Sequence, residues 1–232
     1  MAITFSREDL LWLKMVIESQ IEAIDSEDDG VETPKHFLGR KETLHHVEYG
    51  DMEYNCIHLF EGGKRGLYFP TYVLPNMEFD AAESAGRGQD YGNNDYGDAN
   101  CRQWINTDKL DWFERRHTFD APPSYADRAG FLAGFDEDTL RHIVPYDDCN
   151  GDLFFLLSYE EVTGGLPYLQ TEEGKKLLKK TDKDGNTCWW WLRSPYPNNS
   201  YYVRGVDYDG SANAYSYACN RVLALAPACV IE

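Results

Sequence analysis

Trp189-Trp190-Trp191-Leu192-Arg193-Ser194-Pro195 opens the last segment of this chain, and Val222-Leu223-Ala224-Leu225-Ala226-Pro227-Ala228-Cys229-Val230-Ile231 closes it. Both blocks are apolar and strand-like. Between them the composition changes to Tyr196, Asn198, Asn199, Ser200, Tyr201, Tyr202, Asp207, Tyr208, Asp209, Ser211, Asn213, Tyr215, Ser216, Tyr217 and Asn220. Asn, Asp, Ser and Gly are turn residues, which accounts for much of the tract but not for its six tyrosines. Tyr with Ser, Asn and Gly is the composition of an antibody binding loop. There tyrosine gives rigid amphipathic contact area and the small polar residues give adaptable hydrogen bonding. Residues 196–220 are therefore the expected ligand-binding surface, held between two rigid flanks.

If the Trp run is a strand, its side chains alternate, so Trp190 faces one way and its two neighbours the other. One set is expected in the core and the other near the binding face. Arg193 is expected to pair with a buried carboxylate or carbonyl through its planar fork. Ser194 lacks a G-x-S-x-G setting and reads as a turn residue or cap.

Upstream, the elements are short. Ser6 can cap a helix with Asp9 at its third position, and Leu10, Leu13, Ile17, Ile21 and Ile24 recur at spacings of three and four. That stripe faces either a local core or a short oligomerising coil. Strands are expected over residues 45–49 and 54–60, separated by Gly50-Asp51, with a hairpin-like turn over 61–66. A further strand is expected over 67–74, where Pro70 suggests an edge or a bulge. Residues 86–97 read as loop. One short helix is expected over 99–105, with Arg102 and Gln103 on its polar side. Another follows Asp136 as cap, with Leu140 and Ile143 inward and Pro145 as its stop. Residues 152–158 read as a buried strand, and Lys175-Lys176-Leu177-Leu178-Lys179-Lys180 as a solvated helix face. Two or three helices, many short strands and long irregular loops make this an α+β chain.

Forty acidic residues against 22 basic ones give a formal net charge of -18. A phosphate backbone or an anionic membrane surface would be repelled, so neither nucleic acid nor membrane is an expected partner. No apolar run approaches a membrane-spanning length, and the first nine residues lack the basic-then-apolar pattern of a secretory signal. The six cysteines, at 56, 101, 149, 188, 219 and 229, form no C-x-x-C pair and are expected as free, mostly buried thiols. No metal or cofactor is expected. Asp182-Lys183-Asp184-Gly185-Asn186 and Asp207-Tyr208-Asp209-Gly210-Ser211 begin like calcium loops, but their twelfth positions are Arg193 and Ala218 rather than glutamate. His45-His46 has no partner at zinc spacing. Neither Cys188 nor Cys219 has a histidine nearby in sequence, and only Arg221 stands where it could lower the Cys219 thiol.

The motif Trp190-Trp191-Leu192-Arg193-Ser194-Pro195, the Gly- and Tyr-rich stretch after it and Ala226-Pro227-Ala228 resemble a family of bacterial and phage domains. That family has a C-type-lectin-like fold related to formylglycine-generating enzyme. Arg102-Gln103-Trp104-Ile105-Asn106, Gly130-Phe131-Leu132 and Phe155-Leu156-Leu157-Ser158 ahead of Glu160-Glu161 extend the resemblance over residues 55–232. Where the family ends Gly-Val-Arg-Pro-Ala, this chain has Ala224-Leu225-Ala226-Pro227-Ala228 and lacks the arginine. The resemblance implies a C-type-lectin-like domain over residues 55–232, with Trp190, Trp191, Arg193 and Pro227 as scaffold. Residues 1–54 would be a helix and strand extension for attachment or oligomerisation.

Members of that fold serve as variable proteins of diversity-generating retroelements. An error-prone reverse transcriptase changes adenines in the 3′ end of the gene, and AAC asparagine codons become Tyr, Asp or Ser codons. The resemblance therefore implies a non-enzymatic, hypervariable surface that binds a cell-surface protein or glycan. It fits a phage receptor-binding protein, in the virion or cytoplasmic before release, assembled as a homo-oligomer. The alternatives are a fixed carbohydrate-binding module and an oxidase of the formylglycine-generating type using Cys188 and Cys219.

Overall fold

The run Phe154-Phe155-Leu156-Leu157 and the closing run of residues 222–231 show no polar–apolar alternation, so strands built from them must bury both faces. The computed structural model, which describes residues 14, 15, 17, 18, 35–83 and 90–232, meets that requirement. Its larger sheet is antiparallel, in the order β1 (Lys41–His46), β2 (Gly50–Phe60), β3 (Arg65–Pro70), β11 (Ala228–Ile231) and β4 (Ile143–Val144), with β5 (Phe154–Phe155) also on β11. β6 (Lys180–Thr181) and β7 (Thr187–Cys188) form a hairpin, and β8 (Trp190–Pro195), β9 (Tyr202–Val206) and β10 (Ala214–Tyr217) form a three-stranded antiparallel sheet. Three short helices lie among them: α1 (Asn100–Ile105), α2 (Glu137–His142) and α3 (Glu172–Leu178). This is an α+β architecture of short antiparallel strands with few helices.

Side-chain alternation divides the interior into two cores. Tyr54, Tyr68, Phe154, Cys229 and Ile231 point into the first, and Leu67, Phe69, Phe155, Ala228 and Val230 into the second. β8 repeats this division. Trp191 enters the first core with Val203, Leu223 and Leu225, while Trp190 and Leu192 enter the second with Val206, Ala224 and Ala226. Both indoles are fully buried, and both N–H groups are satisfied. Trp190 donates to the Leu178 carbonyl at 3.0 Å and Trp191 to the Met77 carbonyl at 2.9 Å. The expectation that one set of Trp side chains lies in the core and the other near the surface thus needs correcting, since Trp190 and Trp191 belong to opposite sets and are both buried. The segment at Ala224 runs alongside β8 and supplies a second roof, and only Trp189 remains partly exposed. Gly205 in β9 allows the close approach, because a Cβ there would meet Leu223 at 2.5 Å and the Trp190 carbonyl at 2.9 Å.

Arg193, within β8, finds the carboxylate expected from its fork. It binds Glu161 with both terminal nitrogens, at 2.7 and 2.8 Å, and the Leu156 carbonyl at 2.6 Å. Ser194 Oγ accepts from the Tyr159 N–H at 2.9 Å. Pro227 is buried between the apolar segment and β11.

Several boundaries move. The first turn falls at Val47-Glu48-Tyr49, before Gly50, because the His46 ring accepts the Glu48 and Tyr49 N–H groups. β3 is an interior strand, and Pro70 is its last residue rather than an edge or bulge. α2 is capped by Asp136, which accepts the Thr139 N–H at 2.7 Å, but it stops at His142 because Ile143 and Val144 pair with β11. Lys180 leaves the expected solvated face altogether. It is fully buried, donates to the Pro70 carbonyl and lies 3.6 Å over the Phe69 ring. The division expected between residues 54 and 55 falls within β2, whose partners tie residues 41–60 into the sheet that carries β11. The expected N-terminal helix lies mostly outside the described residues; Lys14, Met15, Ile17 and Glu18 are helical, with Met15 on the second core and Ile17 exposed.

Replacing Trp191 by alanine should destabilise the fold by about 3–5 kcal/mol through the cavity it leaves. Arg193→Met should cost about 3 kcal/mol, because Glu161 is left desolvated without its cation, and adding Glu161→Leu should recover most of that. Urea unfolding of the three variants checks both values; an unmoved midpoint in Arg193→Met would remove the ion pair from the account.

Candidate ligand-binding face

β9 and β10 place Tyr202 opposite Tyr217 and Arg204 opposite Tyr215. Alternation puts these four side chains on one face and turns Val203 into the first core. The rings then meet. Tyr202 stands 4.6 Å from Tyr217 and 5.2 Å from Tyr215, Tyr196 is 4.4 Å from Tyr215, and Tyr201 is 5.0 Å from Tyr202. Two tyrosines from elsewhere in the chain join them. Tyr91 stacks on Tyr217 at 4.2 Å, and the Tyr159 ring lies 3.8 Å from the guanidinium carbon of Arg204. Offset and edge-on ring pairs of this kind contribute about 0.5–1.5 kcal/mol each beyond their area, so the phenols are pre-positioned.

Backbone clamps fix this face from behind. Asn94 donates its amide to the carbonyls of Asn199 at 2.6 Å and Tyr202 at 2.9 Å. Asn199 in turn accepts the Tyr201 and Tyr202 N–H groups, beside Asn198 in the left-handed region at φ 58°. The Cys219 N–H donates to the Tyr91 carbonyl, and those of Phe79 and Asp80 donate to Ala218. Gly92 permits this crossing: its φ is +79°, and a Cβ would sit 2.8 Å from the Asp80 carbonyl. The buried Asp80 carboxyl accepts the N–H groups of Asn93 at 2.9 Å and Asn100 at 3.1 Å. Burial, with the Asp120 and Glu83 charges adding, pushes Asp80 up to about 8 against those hydrogen bonds.

The fifteen residues expected to bind ligand are all at least partly accessible: Asn198, Ser200, Tyr208, Asp209, Asn213 and Tyr215 are exposed, and the other nine half-buried. They do not form one uniform patch. Tyr196, Tyr201, Tyr202, Tyr215 and Tyr217 converge. Tyr208 instead packs on Trp189 at 5.2 Å, in the β9–β10 turn with Asp207, Asp209, Ser211 and Asn213. There Asp207 accepts the Tyr208 N–H and Asp209 the Ser211 N–H. Asn220 donates to Ser216 Oγ at 2.7 Å. Asn199, Asp207, Asp209 and Asn220 thus shape the turns, as polar turn residues do. Sequence reasoning missed Tyr91, Tyr159, Asn94 and Arg204. For Arg204 the signal was there, since it follows Tyr202 at the two-residue spacing of one strand face.

A family described as Domain of unknown function (DUF6273) matches residues 71–232. The chain belongs to the DUF6273 family. The match contains α1, β4 to β11 and every residue of the tyrosine face. No curated protein matches the chain, and no solved structure does.

The other chemistry-bearing residues of this DUF6273 chain are occupied differently. All six cysteines are free thiols, four of them buried. Partial burial raises Cys188 and Cys219 above the ordinary thiol value. Arg221, the one residue that stood where it could lower the Cys219 thiol, is held by Glu78 at 3.0 Å, and burial outweighs its charge. The Asp182 carboxylate accepts the N–H groups of Asp184 and Asn186 within the β6–β7 turn. Among the described residues no group of three or more His, Cys, Asp or Glu is placed to hold a metal ion. Among them also, no helix is long and apolar enough to cross a membrane. A cleft of about 530 Å³ lined by Met52, Tyr72, Val73, Asp184 and Cys188 shares no residue with the tyrosine face.

Asp80 makes the clamp pH-dependent. Its carboxyl moves from an ordinary 3.8 to about 8 on folding, so between those values the folded chain holds a proton that the unfolded chain has released. The stability it contributes is full below the lower value and is lost as pH rises to the higher one. Asp80→Asn should flatten the decline of unfolding free energy between pH 5 and 8. An unchanged slope would mean that Asp80 is ionised in the folded chain.

Proposed function

We propose that this domain is a ligand-binding module, built as a variable protein of a diversity-generating retroelement, that grips a protein or glycan on a cell surface. The observation that carries the reading is the convergence of Tyr196, Tyr201, Tyr202, Tyr215 and Tyr217 on the outer side of a sheet whose inner side is core. Rigid phenols with few rotatable bonds give large contact area at low entropic cost, which is why tyrosine anchors recognition surfaces. Along β9 the half-buried Tyr202 and Arg204 alternate with the buried Val203 and Gly205, so contact residues there can change without disturbing the core. The C-type-lectin-like fold, a phage receptor-binding role and assembly as a homo-oligomer belong to the same proposal and rest on the resemblance of the Trp190–Pro195 block.

This reading divides residues 196–220 into two classes. Tyr196, Tyr202, Tyr208, Asn213, Tyr215 and Tyr217 project outward and are interchangeable. Asn199, Asp207 and Asp209 bond the local backbone and are fixed. Sequencing the gene from many isolates should show replacements concentrated in the first class, with codons differing at adenines. Replacements scattered evenly along the chain would defeat the proposal. Tyr202→Ser and Tyr215→Ser should each lower unfolding free energy by about 1–3 kcal/mol through the ring pairs they lose, leaving the chain folded while weakening capture of host cells in a pull-down.

A further inference from the structure

Arg204 differs from the other arginines near the site. Arg102 ends on Asp152, Arg193 on Glu161 and Arg221 on Glu78. Arg204 is half-buried, lies 3.8 Å from the Tyr159 ring centroid and 5.3 Å from that of Tyr196, and has no hydrogen-bond or ion-pair partner among the described residues. Stacking on rings covers the faces of a guanidinium and leaves its edge donors free. Those donors form a fork that matches a carboxylate bidentately. In a chain with 40 acidic residues, a half-desolvated cation without an internal anion is an open position for an external one.

We infer that Arg204 makes the tyrosine face selective for a terminal, carboxylate-bearing sugar of a glycan. This rests on the reading of that face as the binding surface and names its ligand class. The surroundings of Arg204 favour a sugar over an acidic peptide. Tyr196, Tyr202 and Tyr215 offer apolar ring faces edged by hydroxyls, the complement of a pyranose with its C–H face and hydroxyl rim. An apolar peptide side chain would need an aliphatic pocket, and the ring contacts of this face are phenolic. The net charge of -18 repels a polyanion at long range, which favours a ligand carrying one anionic group, and a carboxylate matches the planar fork.

The test uses the full chain with 3′-sialyllactose and a glucuronate-terminated disaccharide, their carboxyl methyl esters, lactose and the peptide Gly-Glu-Gly, with binding read by saturation-transfer NMR and titration. At least one acidic sugar should bind ten-fold or more tighter than its ester and than lactose. Arg204→Gln should abolish that ratio, and Arg204→Lys should keep part of it, because one ammonium replaces the fork. Tyr202→Ser should weaken acid and ester in parallel. Circular dichroism and a cooperative urea transition establish that the variants are folded. Equal binding of acid and ester, or a ratio that survives Arg204→Gln, overturns the inference while leaving the face as the binding surface if Tyr202→Ser still weakens both. Binding of Gly-Glu-Gly as tight as the sugars overturns the sugar assignment. If neither acidic sugar binds, the inference is wrong.

Discussion

Two indoles on successive residues, turned to opposite sides of one strand, are the constraint on which the rest depends. A strand offers neighbouring residues opposite faces, so Trp190 and Trp191 can both be buried only if β8 is roofed twice. The alanine-rich segment at Ala224 and β9 flank the strand, and Gly205 lets β9 approach. Each indole N–H must also find a carbonyl in the interior, since an orphaned buried donor costs about 1–3 kcal/mol. The Leu178 and Met77 carbonyls meet that need and tie in α3 and the segment before Asp80. The Arg193–Glu161 pair then ties the second half of β8 to the segment that follows β5.

The tyrosine face is a consequence of that frame. β9 is registered on β8, β10 on β9, and the only side of the small sheet left for polar aromatic groups is the outer one. Asp80 and Asn94 extend the control to the loop that brings in Tyr91. The phenols are not left to find one another in solution. The ring contacts order these side chains on folding, so a partner meeting them would pay less ordering entropy.

Residues whose neighbours in sequence fix their role were legible: Asp136 as a cap, Asn100–Ile105 as a helix, Arg193 seeking an acid, the fifteen polar and tyrosine residues between 196 and 220 as at least partly accessible. Those whose role is set by distant segments were not. Alternation puts either Trp190 or Trp191 near the surface, until residues 223–225 are seen roofing β8 and both are enclosed. Lys180 reads as the end of a basic helix until Phe69 and Pro70 enclose it. Tyr91 and Tyr159 are ordinary loop tyrosines in sequence and become part of the face only through contacts spanning more than forty residues. Local propensity carries cap and turn chemistry, whereas convergence is a property of topology.

The order of strands along the chain has a further consequence. β11 lies at the centre of the larger sheet, hydrogen-bonded to β3 on one side and to β4 and β5 on the other, yet it is encoded after the tract at residues 196–220. During translation the groups that would touch a target emerge before the segment that seals both cores. A frameshift or premature stop inside the tract therefore deletes the keystone along with the error. A chain cut short there leaves β3, β4 and β5 without the strand that joins them.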